Sequence, residues 1–456
     1  MEDQSISKQS WKVILSVVLS ATFYYAFAYD LVRTDHIKLI TLYAAVFFFY
    51  INIIRTQKVN FTLLAVLSVL LRLVFLFATP NLSQDFYRFI WDGQMMRNGF
   101  NPYLSTPLSY DVNGYLPFYK ADQLLQGMGE LNSSHFTNYP PVNQFIFYIA
   151  SYFNNLSLLS SVFVLRIFVI LPDIGTIYFG RKLLRHLNLE ENKIFWFILN
   201  PLVIIELTGN LHFEGVMIFF MLWSLYLLYR EKWFWSAVIL ALSISTKLIP
   251  LMFLPLLVIW FYRNNENSKK ARLWHLFRYY LLVGVSTLVI FLPFYSSEFI
   301  NNYSETVGLW FQKFEFNASL YYIIRELGFA YSGYNMIAQI GPFLAICVVL
   351  FIFALSFFGK LKQKKDLITF MFLALSFYLF STTTVHPWYL ATPIALSVFT
   401  NYKFPIFWSA TVILSYLAYK TSGFSEKPLI LVVEYSLVFG MLFWEIRMNN
   451  KKVTTP

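Results

Sequence analysis

Apolar runs, each about long enough to cross a bilayer (~20 residues), follow one another along this chain. A segment of that kind has no exposed surface to give to water over a whole helical turn. It must be buried on all sides or lie in lipid. The runs fall near 11–29, 37–54, 60–79, 159–180, 194–209, 212–229, 233–247, 249–262, 277–294, 334–358, 367–384, 388–400, 404–420 and 429–446. Charged residues make up 13% of the chain, where a soluble domain averages about 25%. The alternating pattern of an outer-membrane barrel is absent. The reading is an all-α polytopic integral membrane protein of about 11–14 transmembrane helices. Trp11 to Tyr29 reads as the first of these and not as a cleaved signal. Segments 233–247, 249–262 and 388–400 are short enough to be half-helices. No repeat or low-complexity tract interrupts the chain, so residues 1–456 form one membrane domain. Cys347 is the single cysteine, which excludes an intrachain disulfide.

The net charge of +11 needs no nucleic acid to explain it. Basic residues collect at Arg55/Lys58, Arg181/Lys182/Arg185, Arg230/Lys232, Lys269/Lys270/Arg272, Lys360/Lys362/Lys364/Lys365 and Arg447/Lys451/Lys452. With both termini inside, every cluster is cytoplasmic, and roughly two-thirds of Lys and Arg obey the positive-inside rule. Two long segments then lie outside, 80–158 and 295–333. Each exceeds an ordinary connection, which is under ~12–15 residues, and such loops are usually functional. Most acidic residues fall outside as well.

The first external segment opens with Ser83-Gln-Asp-Phe-Tyr-Arg-Phe-Ile-Trp-Asp-Gly93. Asp85, Arg88 and Asp92 are spaced so that a helix over 84–98 sets both carboxylates on one face. Phe86, Phe89, Ile90 and Met96 would then lie at the lipid headgroups, as in an interfacial helix. A surface helix with solvated charges satisfies the same spacing. Gly99 would end the helix, and Asn101-Pro102-Tyr103 would start an extended loop.

This stretch, with Asn101-Pro-Tyr103, resembles the first external loop of GT-C superfamily glycosyltransferases, multispan enzymes that take a sugar from a polyprenyl-phosphate carrier. Asn138-Tyr-Pro-Pro141 resembles their tyrosine-proline motif. Asn200-Pro-Leu202 with Gly209-Asn-Leu-His-Phe-Glu-Gly215, Lys247-Leu-Ile-Pro250 and His386-Pro-Trp-Tyr389 resemble later motifs in the same order. The nearest groups are glycosyltransferase family 87 and the GPI mannosyltransferase I type. Related loops often carry two adjacent acids where this chain has Gln84-Asp85.

The resemblance implies a hexose, mannose first, moved from a polyprenyl-phosphate donor to a lipid-linked glycan, glycolipid or protein acceptor. It implies a GT-C-like bundle whose long first external loop carries interfacial helices. It makes Asp85 the base that takes the acceptor proton, in a single inverting attack. Such proton transfer typically contributes about 10²–10⁴-fold. Positive charge must meet the departing phosphate, and Lys247, Arg88, His212 and His386 are candidates. Asp92, Tyr139, His212 and Glu214 are candidate donor or acceptor contacts. Trp388 and Tyr389 could stack on a pyranose or form part of an aromatic belt. Lys247 could equally snorkel to the interface.

Arg72 and Asp173 sit deep in spans, where charge is usually paired or functional. They read as a structural pair, with Arg72 on the carrier phosphate as the alternative. No spaced metal-ligand cluster is present, although a Mg²⁺ or Mn²⁺ ion needs only one or two carboxylates. No phosphate-binding glycine loop favours a nucleotide donor. A transporter or flippase of lipid-linked sugars is the competing reading. It would call for paired halves and a central charged path, and a glycan polymerase would lean on external arginines. The expected location is a bacterial cytoplasmic membrane, with the site on its outer face.

Overall fold

A computed structural model describes residues 2–56, 60–263, 268–312, 314–421 and 423–454. Lys58 lies outside the described residues, as do the side chains of Lys451 and Lys452. The chain is helical nearly throughout. Helices α1 (Glu2–Asp30), α2 (His36–Arg55) and α3 (Phe61–Leu73) lead into the first long segment. That segment holds α4 (Asp85–Arg97), α5 (Pro107–Val112), α6 (Ala121–Ser133) and α7 (Pro141–Ser151). Then come α8 (Leu158–His186), α9 (Phe195–Ile198), α10 (Glu214–Tyr229), α11 (Trp233–Ile244), α12 (Leu257–Arg263) and α13 (Lys269–Phe291). The second long segment holds α14 (Ser297–Gln312) and α15 (Leu320–Ser332). The chain closes with α16 (Ile337–Phe358), α17 (Asp366–Ser381), α18 (Ala391–Ser397), α19 (Phe404–Thr411) and α20 (Pro428–Thr454).

Every expected span contains helix, but the spans are of two kinds. Among the described residues six helices are long and apolar enough to cross a membrane, or up to seven if a bent pair counts as one. These include α1, α2, α8, α13, α16 and α20. Their outer faces carry exposed apolar side chains such as Val18, Tyr25, Phe48, Leu288, Phe343, Leu350 and Phe443. Hydrocarbon is the solvent that suits such faces. The other apolar helices are shorter, and part of the chain between the spans is interior. Every residue from Phe197 to Ile218 is buried, so this part of the chain touches protein on all sides.

The interior elements are broken because interior backbone can find partners that lipid cannot supply. The π-helical turn Val203–Gly209 and α10 meet at a bend of 109°. Leu211 at the bend has φ 64°, a left-handed conformation that costs a branched side chain energy and is tolerated where the surroundings impose it. Arg166, fully buried on α8, satisfies the carbonyls that the breaks leave open. Its Nε donates to Thr208 O at 2.9 Å and its Nη2 to Gly209 O at 2.9 Å. Its Nη1 donates to Ala78 O at 2.7 Å and Leu76 O at 3.2 Å. One side chain therefore ties the frayed end of α3 to the π-helical turn. The sequence reading passed over this arginine.

Arg72 and Asp173 do form the structural pair, Nε to Oδ2 at 2.5 Å with both side chains buried. The pair joins α3 to α8, and Arg72 Nη1 also donates to Ser68 O.

Helix α4 spans the expected residues, and Gly99 follows it with φ 82°. Its environment departs from expectation. Phe86, Phe89 and Ile90 are buried in protein, not set among headgroups; Met96 is half-buried. The cause is a close approach to α7: a Cβ on Gly93 would lie 2.1 Å from Phe147 O. Glycine lets the two helices touch, and the apolar face of α4 is spent on Phe147 and Tyr139, whose rings pack on Phe89.

Loss of one partner of a buried pair leaves a bare charge, at a cost of about 3–5 kcal/mol. Asp173→Ala should therefore lower the Tm of the purified protein sharply. The double variant Arg72→Met/Asp173→Leu should recover most of the loss, as read by thermal unfolding in detergent. Arg166→Met should be as damaging as Asp173→Ala, with no single partner change that rescues it, because four separate carbonyls lose their donor.

Candidate active site

The turns assigned to one side of the membrane converge on a single chamber. Leu82 N donates to Asn210 Oδ1 at 3.0 Å, Val142 N to Ser245 O at 3.0 Å, and Phe316 N to Thr383 O at 3.1 Å. His36 Nε2 reaches Tyr419 O at 2.7 Å. The basic turns meet on the opposite side, where Tyr229 bonds Lys364 O, and Lys365 Nζ bonds Asn401 Oδ1 at 3.1 Å. The converging turns enclose a cavity of about 470 Å³. Its walls include Asp85, Arg88, Tyr139, His212, Glu214, Lys247, His386, Trp388 and Tyr389. These residues are scattered over some three hundred positions of sequence, by the numbering itself.

Asp85 is the first residue of α4 and stands half-buried at the wall. Asn132 Nδ2 donates to its Oδ1 at 3.2 Å. Burial pushes its pKa above the ordinary carboxylate range, against the opposing effects of Asn132 and Lys247. A carboxylate of raised pKa is a stronger base.

Arg88 lines the cavity, yet most of its guanidinium is engaged. Its Nε meets Asp92 Oδ1 at 2.8 Å, and its Nη1 donates to Asn132 O and His135 O at 2.7 and 2.9 Å. Asp92 accepts from Thr137 Oγ1 at 2.5 Å and Gln144 Nε2 at 3.0 Å. It is fully buried and does not line the cavity. Its place is behind the wall, holding Arg88, and not at the cavity surface where the sequence reading set it. The reason is the helical repeat: seven residues carry it two turns along α4, beneath the 132–144 loop.

Lys247 is ion-paired with Glu214, and its Nζ lies 5.0 Å from the centre of the Tyr389 ring. It therefore points into the chamber and does not snorkel outward. Trp388 stacks on His212 at 3.7 Å between ring centres and on His386 at 4.4 Å. Phe316 stacks beyond His386 at 4.9 Å. Trp388 thus spends ring surface on two imidazoles, while it still lines the cavity where a pyranose platform was expected. Burial and the Lys247 charge push the His386 pKa down to about 3, which favours its neutral, hydrogen-bonding form. Below the stack, Glu206 accepts from Tyr416 Oη at 2.7 Å and Asn210 Nδ2 at 3.3 Å. His212 Nε2 stands 3.7 Å from Glu206.

Arg72 and Asp173 do not line the cavity, and Arg72 is spent on Asp173, so the carrier-phosphate role for it lapses. The cavity also has residues the sequence reading missed: Arg33, Asn132, His135 and Tyr419. Arg33 had a signal, being an arginine at the outer end of the first span, against the positive-inside bias. Asn132 had no signal as a site residue, since only folding sets it on Asp85. Among the described residues no group of three or more His, Cys, Asp or Glu is arranged to hold a metal ion.

The placement of Asp92 has a measurable consequence. Asp92→Asn should lower the Tm, because the Arg88 charge loses its buried partner, while the folded fraction keeps most of its sugar-transfer activity. Activity lost with Tm unchanged would restore a substrate-binding role.

Compared with protein-family profiles, residues 19–263 match the MptA_B family, described as alpha-(1->6)-mannopyranosyltransferase, N-terminal domain. The match covers more than half of the chain and contains α4, the π-helical turn and Lys247. A search of curated proteins returned no match. The chain therefore belongs to the MptA_B mannosyltransferase family, within the GT-C group, and is a membrane glycosyltransferase.

Proposed function

We propose that the protein transfers mannose from a polyprenyl-phosphate carrier to a hydroxyl of a lipid-linked glycan, glycolipid or protein, on the external face of a bacterial cytoplasmic membrane. The observation that carries this reading is the chamber itself. It gathers a carboxylate, Asp85, and an ammonium, Lys247, from turns opposite the basic ones. The positive-inside rule makes that side external.

Asp85 accepts the proton of the acceptor hydroxyl as the oxygen attacks the anomeric carbon. The bond from that carbon to the phosphate oxygen breaks on the opposite side of the sugar. The phosphate leaves with one more negative charge, and Lys247 meets it. One such displacement inverts the anomeric centre. An α-linked product, as in the family description, then requires a β-linked donor. Glu214 holds Lys247 in place before the phosphate arrives. His386 and His212 offer ring nitrogens to sugar hydroxyls from the edges of the stack. A Mg²⁺ or Mn²⁺ ion on the phosphate is compatible with this scheme, since one or two carboxylates suffice for it. A flippase would carry the same ligand without transfer.

The test is sugar transfer by the purified protein with a panel of polyprenyl-phosphate sugars and a membrane lipid extract as acceptor. Asp85→Asn should reduce kcat by about 10²–10⁴-fold with Tm retained. The base is active when ionised, and its pKa is raised, so kcat should fall with acidity at a pH above ~3.9, the usual Asp value. That acid limb should be lost in the residual activity of Asp85→Asn. Equal transfer by the variant would remove Asp85 from the chemistry. Transport of the donor without transfer would support the flippase.

A further inference from the structure

We propose that Arg33 binds the phosphate of the lipid carrier, at the corner where the chamber meets the lipid-facing surface. The inference rests on the polyprenyl-phosphate reading above and names a residue for it.

Among the described residues three cationic side chains line the chamber, Arg33, Arg88 and Lys247, and they differ in what they have left to give. Arg88 faces Asp92, and Lys247 faces Glu214. Among the described residues Arg33 has no carboxylate partner. Of its five N–H donors, one is used, from Nη1 to Leu82 O at 3.0 Å. Its guanidinium lies over the Tyr419 ring at 4.2 Å. That contact holds the guanidinium near the ring by cation–π attraction without using its N–H donors. A half-buried guanidinium held against a ring, with most donors unused, fits a phosphate better than an ammonium does.

Its position selects a lipid source. Arg33 follows α1 directly, and on that helix Tyr25, Tyr29 and the adjoining Val32 are exposed apolar residues. A phosphate at Arg33 would leave its hydrocarbon tail against this face, inside the bilayer. Leu82, which Arg33 holds, stands three residues before Asp85. The same side chain therefore couples the phosphate corner to the strand of chain that presents the base. The structural alternative is that Arg33 only ties the end of α1 to Leu82.

The experiment uses the full-length protein in nanodiscs, with empty nanodiscs subtracted. Binding of farnesyl phosphate is compared with that of farnesol, and inorganic phosphate is added as competitor. The wild type should prefer the phosphate lipid. Arg33→Gln, which keeps a donor for Leu82 O, should reduce that preference about tenfold or more, the worth of a charge-assisted hydrogen bond. Arg33→Lys should keep a larger share than Gln, and Tyr419→Leu should weaken binding in the same direction. A wild-type preference unchanged in Arg33→Gln and Arg33→Lys overturns the role of Arg33 and leaves the donor class standing. No phosphate preference in the wild type overturns both. Displacement of farnesyl phosphate by an equal concentration of inorganic phosphate overturns the lipid source.

Discussion

A buried arginine that serves four carbonyls holds the architecture of the site together. In the interior of a membrane protein an open carbonyl has no water to turn to, and each one left unpaired costs several kcal/mol. The end of α3 and the π-helical turn both break their hydrogen-bond ladders, at 76–78 and 208–209. Arg166 takes up both sets at once. The breaks are what let the chain turn back within the protein. From the first comes the loop to Asp85, and from the second the bend to His212 and Glu214. The chamber exists because these ends are satisfied from one neighbouring helix.

Around that chamber the charges are arranged in two tiers. Asp92, Asp173 and Glu206 lie behind the walls with hydrogen-bonding partners and set the positions of what stands in front. Asp85, Lys247 and Arg33 stand at the surface, where a ligand can reach them. Burial favours the uncharged form of His386, so the positive charge at the cavity comes from long side chains more than from this imidazole. The aromatic stack of His212, Trp388, His386 and Phe316 is a wall. It presents edges, which carry nitrogen atoms.

The helix over Asp85–Arg97 was legible because its spacing, its glycine stop and its acidic first turn all agree. Its burial was not. A sequence of mixed polar and aromatic residues reads alike whether it lies on lipid headgroups or under a loop, and only the contact of Gly93 with α7 decides between them. The same limit applies to Asp92 and Trp388. Their residue types suit a sugar site, and nothing local says that Arg88 will claim one and two imidazoles the other. Arg166 left no legible pairing, since its partners are main-chain oxygens that any residue supplies.

What the sequence alone determined is that the chain is a multi-pass membrane protein, together with an expected direction across the bilayer. Apolar runs of bilayer length call for lipid or complete burial, and the basic clusters give them an expected direction, because both effects act on each segment separately. The tertiary structure decided which turns meet, and hence which residues share the chamber. Asp85, Lys247 and His386 come together through backbone bonds between distant turns and through helix contacts. Those depend on how broken helices satisfy one another in the interior. Periodicity carries no record of such pairing, because an open carbonyl looks the same at every position until a donor is folded against it.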